Sequence, residues 1–337
     1  MSSMNSSLDI KNLFKDKKVV LAPMAGITSF SYRKLMQKQG VALSYTEMIS
    51  DCGLIYGNKE TSELLLTDGQ EGPLAVQLFG GSKETLIKGL EILESMNVPY
   101  DILDLNLACP VYKVTRNNGG SSWLKDLNLL EDMIKEVVKK SSKPVSCKIR
   151  LGWDDSHINV DDVCRILQDN GVSLIAIHAR TTKQGYTGKA RYEELKNVRS
   201  ILHIPFIISG DIFTADDAIN AMEITGADAV MIARGGTGNP LLVKEINSRT
   251  AGNLNYKVPR SFEEQKEFLL EYSKNLIQEK GEIRAIRLLR GIAPKFFSHF
   301  PFSKEIRSTI CTSINTFEDL TTLLSRYWFK FAINAFL

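Results

Sequence analysis

Short apolar runs recur along the first two thirds of the chain, with amphipathic stretches between them. The runs at 19–23, 42–47, 74–79, 102–105, 145–150, 174–178, 206–209 and 229–232 are each four to six residues long and read as buried strands. Helical spacing appears at 83–96, 129–140, 160–170 and 215–225, the last introduced by Thr214, a good N-cap residue. Eight strands alternating with helices predict an α/β fold, a (β/α)8 TIM barrel. An open doubly wound sheet is the other arrangement with this alternation, but the G-x-G-x-x-G fingerprint after the first strand is absent. Past residue 240 the pattern turns helical, at 261–280, 283–290 and 317–334, and 253–259 reads as a linker. The expected domains are therefore a catalytic barrel at 1–250 and a small helical domain at 255–337.

Composition narrows the class. The chain has 337 residues, 43% of them hydrophobic and 24% charged, as in ordinary soluble proteins. A net charge of +3 means that any nucleic-acid surface must be a local patch. The five cysteines are scattered with no C-x-x-C pair, which argues against a disulfide framework or a zinc site and for a reducing compartment. No signal-peptide core precedes residue 18, and the apolar stretch 327–337 is broken by Lys330 and shorter than the ~20 residues that span a bilayer. A cytoplasmic protein without metal or membrane is expected. No dimerisation stripe stands out, so a monomer is expected too.

Chemistry gathers at predicted strand ends. Cys109 follows the run 102–105 within Asn106-Leu107-Ala108-Cys109-Pro110. In a parallel α/β protein the C-terminal strand edge is where catalysis is placed, and a thiol there is mostly protonated at neutral pH and can donate. Taken alone, such a cysteine also serves as small apolar filler. The seventh run ends in Ser209-Gly210-Asp211 and the eighth in Ala233-Arg234-Gly235-Gly236. Glycine loops after the last two barrel strands suit a phosphate, which Arg234 would reinforce. Lys148 and Gln77 are polar residues inside apolar runs, and His178 ends the sixth run. A solvated barrel mouth holding a polar ring system would satisfy them. A phosphate-bearing planar cofactor is implied, and FMN fits best: Lys148 near the reduced ring, Gln77 at its edge, and the loop Pro23-Met24-Ala25-Gly26 along its face.

A second feature lies in the helical part. Residues 284–307 carry Arg284, Arg287, Arg290, Lys295, Lys304 and Arg307 against Glu305, interleaved with Phe296, Phe297, Phe300 and Phe302. The three arginines recur every third residue and roughly share a helix face. A solvated face and a nucleic-acid contact both fit that pattern, and core packing is the expected job of most of the phenylalanines. Lys113 and Arg116 add charge beside Cys109. A flavin barrel acting on a free pyrimidine, as dihydroorotate dehydrogenases do, leaves the basic extension unexplained; a non-enzymatic RNA binder leaves Cys109 and Lys148 unexplained.

Six segments occur in order: Ala22-Pro23-Met24-Ala25-Gly26-Ile27-Thr28, Gln77-Leu78-Phe79-Gly80, 106–110, Lys148-Ile149-Arg150-Leu151-Gly152-Trp153, His178-Ala179-Arg180-Thr181 with Tyr186 and Gly188, and Ser209-Gly210-Asp211-Ile212. With them the chain resembles the bacterial tRNA-dihydrouridine synthases, most of all their B-type branch, over roughly residues 18–310. The resemblance implies an FMN barrel followed by a helical tRNA-binding domain. In such enzymes NADPH reduces the flavin, a hydride passes to C6 of a tRNA uridine, and a cysteine protonates C5. It makes Cys109 the donor and places FMN contacts on Pro23, Met24, Ala25, Gln77, Lys148, His178, Ser209, Gly210, Asp211, Ala233 and Arg234, with Gly235 adjacent. Asn106 and Arg180 are implied near the uracil, and Lys113, Arg287 and Arg290 on the RNA. The chain departs from the family pattern at Ala108, Ala179, Ser209 and Ala233, all small or polar replacements, and at the bulky Trp123.

Overall fold

The computed structural model describes residues 8–334. Nine parallel strands are formed: β1 (Val19–Leu21), β2 (Leu43–Tyr45), β3 (Ile49–Ser50), β4 (Leu74–Phe79), β5 (Ile102–Leu107), β6 (Val145–Arg150), β7 (Leu174–His178), β8 (Phe206–Ser209) and β9 (Ala229–Ile232). β1 pairs with β2 on one side and β9 on the other, and β2 pairs with β4, so the sheet closes into an eight-position barrel. The (β/α)8 expectation holds, and the expected runs match the strands with one exception.

The exception is at the second run: β2 fills its middle, and the two-residue β3 beyond its end at residue 47 has no counterpart among the expected runs. Thr46 Oγ1 accepts the Gln77 N–H at 3.1 Å, so a side chain substitutes for a ladder carbonyl. Glu47 leaves the sheet to accept the Gly26 N–H at 2.5 Å. β3 then resumes pairing with the end of β4. This break brings Met48 to the barrel mouth.

Strand side chains alternate with period two, so every second residue points inward, and the residue types at successive inward positions make two zones along the barrel axis. The lower zone is apolar: Val20, Tyr45, Ala75, Ile102, Leu174, Ala176, Ile207 and Ala229 form one cluster, joined by Ile10 and Phe14 from the N-terminal segment. The upper zone is polar. Gln77 faces Asp104, Asp104 faces Ser146, Asn106 faces Lys148, and His178 faces Ser209 across neighbouring strands. Helices such as Lys83–Ser95, Leu127–Lys140, Val160–Asp169 and Ala215–Thr225 cover the outside with Leu90, Ile134, Val163, Ala218 and similar residues. Thr214 caps the last of these through a capping box with Asp217, as its sequence suggests.

Four helices follow the barrel: Phe262–Lys280, Glu282–Phe296, Ser303–Ser313 and Phe317–Asn334. The second outruns its expected end at residue 290 despite Pro294. Pro294 cannot donate to the Arg290 carbonyl, and the Cys311 thiol bonds that carbonyl at 3.6 Å instead. The third helix has no counterpart among the expected elements. The helices dock on the barrel through Tyr32 edge-on to Tyr272 at 5.8 Å and through Glu279, whose Oε2 accepts from Ser31 N and Oγ. Gly238 lies so close to Lys295 that an added Cβ would fall 2.4 Å from its carbonyl carbon. No helix among the described residues is long and apolar enough to cross a membrane; residues 335–337 of the apolar C-terminal stretch lie outside the described residues.

Candidate active site

A cavity of about 500 Å³ opens at the C-terminal ends of the barrel strands. It is lined by Pro23, Met24 and Ala25 after β1, Cys109 and Val111 after β5, Lys148 on β6, and His178 and Arg180 from β7. Ser209, Gly210 and Asp211 follow from β8, and Ala233, Arg234 and Gly235 from β9. Six separate strand ends thus converge on one space, because parallel strands all present their C-termini at the same rim.

Cys109 is 9% exposed, and that exposure faces the cavity. Burial pushes its thiol up from the usual value; the Val111 N–H and the cations Arg150 and Lys148 pull the other way without reversing it. The sulfur therefore stays protonated through neutral pH. Its loop is fixed from three sides. Asn106 Oδ1 accepts the Ala108 and Cys109 N–H groups at 3.1 and 2.9 Å, Ser121 N and Oγ bond the Cys109 carbonyl, and Arg150 Nε bonds the Ala108 carbonyl at 2.7 Å.

The Lys148 ammonium has no ion pair or hydrogen bond among the described residues, although the residue is only 9% exposed. Burial, then the nearby Arg150, bring it down to about 8, with Asp104 and Cys109 opposing. His178 is held well below its usual value by burial and by Lys148, Arg150, Arg180 and Arg234, so it is neutral. Arg180 Nη1 sits 3.3 Å from His178 Nε2. A guanidinium only donates, so Nε2 accepts and Nδ1 carries the proton. Arg180 itself is buried, bonding the Thr187 and Gly188 carbonyls and pairing with Asp211 at 2.6 Å. The cavity is thus cationic and short of negative charge, which fits an anionic guest.

The two glycine loops complete the fit. The N–H groups of Gly210, Asp211, Arg234 and Gly235 find no acceptor among the described residues. Gly210 has φ +120°, and a Cβ there would lie 3.1 Å from His178 Cδ2; a Cβ on Gly235 would lie 2.0 Å from the Ile212 carbonyl oxygen. Only glycine allows these backbones to close on one another and leave their N–H groups free for phosphate oxygens. The Asp211 carboxylate does not compete with such a phosphate, because it is spent as the clamp between the loops. Burial opposes its charge, but Arg180, the Ala190 N–H and Arg234 hold its carboxyl below the usual range.

Five expected site residues do not line the cavity. Gln77 is fully buried beneath it, with Nε2 donating to Asp104 Oδ2 and Oε1 accepting from Asn106 Nδ2, both at 2.7 Å. Its amide is held by neighbouring strands. Asn106 is likewise committed, to Gln77, the Met48 sulfur and the Cys109 backbone. Lys113 is exposed on the turn Tyr112–Thr115 beyond the cysteine. Arg290 bonds the Ile314 carbonyl at 2.7 Å and Asn315 Oδ1 at 2.9 Å, so it closes the end of the helix Ser303–Ser313. Arg287 is exposed on the helix Glu282–Phe296, whereas Arg284 is drawn to Glu63 at 2.7 Å. Phe296 and Phe297 are core, as expected. In return the structure adds Met48, Val111, Tyr186 and Phe213 to the lining. Arg150 also joins the site by gripping the cysteine loop; its spacing of two from Lys148 on one strand is the signal in the sequence.

The family model described as Dihydrouridine synthase (Dus) matches residues 20–327. The chain is 37% identical over 240 residues to a probable tRNA-dihydrouridine synthase 1 of Synechocystis, covering 71% of this chain and 67% of that protein. It is 34% identical to tRNA-dihydrouridine synthase B of Pasteurella multocida, covering 81% of each, and 31% identical to that of Shewanella oneidensis, covering 81% and 84%. Among solved structures, the 6-hydroxypseudooxynicotine amine oxidase of Pseudomonas geniculata shares the fold at a TM-score of 0.52 and 13% identity, covering 69% of this chain and 47% of that one. Motif order, barrel and family match agree: the chain belongs to the dihydrouridine synthase family.

Proposed function

We propose that the chain is an FMN-dependent tRNA-dihydrouridine synthase, with NADPH as reductant and Cys109 as the acid that protonates uridine C5. The observation that carries this reading is the shared cavity: a buried, protonated thiol opens onto the same space as an unpaired ammonium and two glycine loops with free N–H groups. The flavin, when bound, supplies the hydride that uracil C6 accepts. Carbanion character then builds at C5 beside the uracil C4 carbonyl, and a small, neutral acid close to C5 is what the reaction needs from the protein. Cys109 supplies it, held in place by Asn106, Ser121 and Arg150. The Gly210–Asp211 and Arg234–Gly235 backbones would hold the phosphate, and Lys148 the electron-rich edge of the ring. A paired uridine cannot reach this depth, so the target base must be extruded into the mouth. Residues 1–250 form the FMN-binding unit in this reading and 255–337 the tRNA-binding one, with Arg287 and Lys113 on the RNA and the protein acting as a cytoplasmic monomer. NADPH oxidation by the flavin-loaded protein that tRNA stimulates and orotate does not would support it; stimulation by orotate alone would overturn it.

Three expected results arise here. Gly210→Ala forces an L-residue into a left-handed backbone against His178, a strain of about 1–3 kcal/mol, so FMN affinity should fall about tenfold or more in a fluorescence titration. Arg287→Glu should raise the KM for tRNA while leaving flavin reduction by NADPH unchanged, and stopped-flow absorbance separates the two. Lys148 gives a pH signature. Its folded value of about 8 lies below its ordinary value of 10.5, so the folded, cofactor-free protein binds fewer protons than the unfolded chain between them. Stability from this group rises with pH across that window. An anion beside Lys148 reverses the bias, so FMN binding near pH 8.5 should take up protons, seen as a buffer-dependent heat in calorimetry that vanishes in Lys148→Met.

A further inference from the structure

Four buried side chains run in hydrogen-bonded order from the middle of the barrel to the cysteine loop. Ser146 Oγ donates to Asp104 Oδ1 at 2.5 Å, and Gln77 Nε2 donates to Asp104 Oδ2 at 2.7 Å. Asn106 Nδ2 donates to Gln77 Oε1 at 2.7 Å, and Asn106 Oδ1 accepts the N–H groups of Ala108 and Cys109. The register explains the geometry: Gln77, Asp104 and Ser146 share one layer across β4, β5 and β6, and Asn106 stands one step higher on β5.

The order of donors is fixed from both ends. A backbone N–H can only donate, so Asn106 must present its oxygen to Cys109 and its nitrogen to Gln77. Gln77 must then present its own nitrogen onward, and that nitrogen needs an acceptor. Asp104, fully buried, supplies it. Its charge also favours the nearby Lys148 ammonium, but its hydrogen bonds go to Gln77 and Ser146. The apolar cluster inside the barrel holds Ala75, Ile102, Ala176 and Ile207, where an aliphatic side chain packs without the cost of burying a charge. We infer that Asp104 is a positioning residue for the reaction: acting through Gln77 and Asn106, it fixes the amide orientation that holds the Cys109 backbone at the cavity. The inference rests on the reading of Cys109 as the proton donor.

The test uses the flavin-loaded full chain and two readouts: dihydrouridine formation in tRNA, and the rate at which iodoacetamide alkylates Cys109, followed by peptide mass spectrometry. Asp104→Leu removes the terminal acceptor. Turnover should fall about 100-fold, the loss expected for a reacting group displaced by about 1 Å, with the KM for tRNA unchanged and Cys109 alkylated severalfold faster. Asp104→Asn can present its carbonyl to Gln77 and its amide to Ser146 Oγ, so both readouts should return near wild type. Gln77→Met breaks the same run one link higher and should match Asp104→Leu, which decides the matter if the leucine variant does not fold. Wild-type turnover and alkylation in a folded Asp104→Leu or Gln77→Met protein would overturn the inference, as would an asparagine variant as impaired as the leucine one. Should the wild type itself form no dihydrouridine, the donor reading fails, while the alkylation rates still decide whether Asp104 holds the cysteine.

Discussion

Cys109→Ala should keep its flavin and its NADPH oxidation and lose dihydrouridine formation by about 10²- to 10⁴-fold, the range over which a positioned general acid contributes. The separation follows from the geometry. The Cys109 side chain makes one boundary of the cavity, and none of the glycine-loop N–H groups, Lys148 or His178 depends on it for a hydrogen bond. Removing the sulfur deletes the proton source and little else. Cys109→Ser is the sharper control. It preserves size and the Val111 N–H contact but substitutes a far weaker acid, so it should be nearly as inactive as the alanine variant. A serine variant with full activity would mean that the side chain shapes the pocket and another group gives the proton.

Arg33→Met should lower stability by about 3–5 kcal/mol, the usual result of leaving one partner of a buried pair unmatched. Arg33 and Glu71 are each about 1% exposed, and Arg33 bonds Glu71 through both Nε and Nη2. Its remaining donors go to the Thr28 and Leu66 carbonyls. Thr28 in turn ties back to Met24, its hydroxyl accepting the Met24 N–H at 2.9 Å, so the loop along the proposed flavin face is braced by the same arginine. Urea unfolding should show the loss, and FMN should dissociate more readily. The double variant Arg33→Met with Glu71→Leu removes both charges and should recover most of the stability. A double variant no better than the single one would assign the loss to packing and not to an orphaned carboxylate.

Much of the fold is legible in the sequence because barrel strands are buried on both faces and therefore stand out as continuous apolar runs. The cavity-lining residues are legible for a related reason: a polar residue or glycine loop at the end of such a run has nowhere to go but the rim. The same reasoning does not show what holds Gln77, nor does the resemblance show what holds Asn106. A lone polar residue in a buried strand announces that it needs a partner, but the partner sits on another strand at a register that one sequence does not reveal. Asp104 is equally visible as a carboxylate inside the run 102–105, and its meaning emerges only when β4, β5 and β6 lie side by side. β3 is missed because it is two residues long, too short for periodicity to show, and because a side chain, Thr46 Oγ1, stands in for a backbone acceptor just before it. Spacing alone groups Arg290 with Arg284 and Arg287, whereas the carbonyl it closes belongs to a turn 24 residues later.

The central claim is that one thiol and one flavin act together on a uridine in this cavity. Dihydrouridine mapping by mass spectrometry tests it most directly, using tRNA from a strain lacking this protein, incubated with the FMN-loaded chain and NADPH. Two added hydrogens at defined uridines with the wild type, and none with Cys109→Ala, is the predicted outcome. Unchanged tRNA after treatment with wild-type protein that has bound FMN and oxidises NADPH would contradict it.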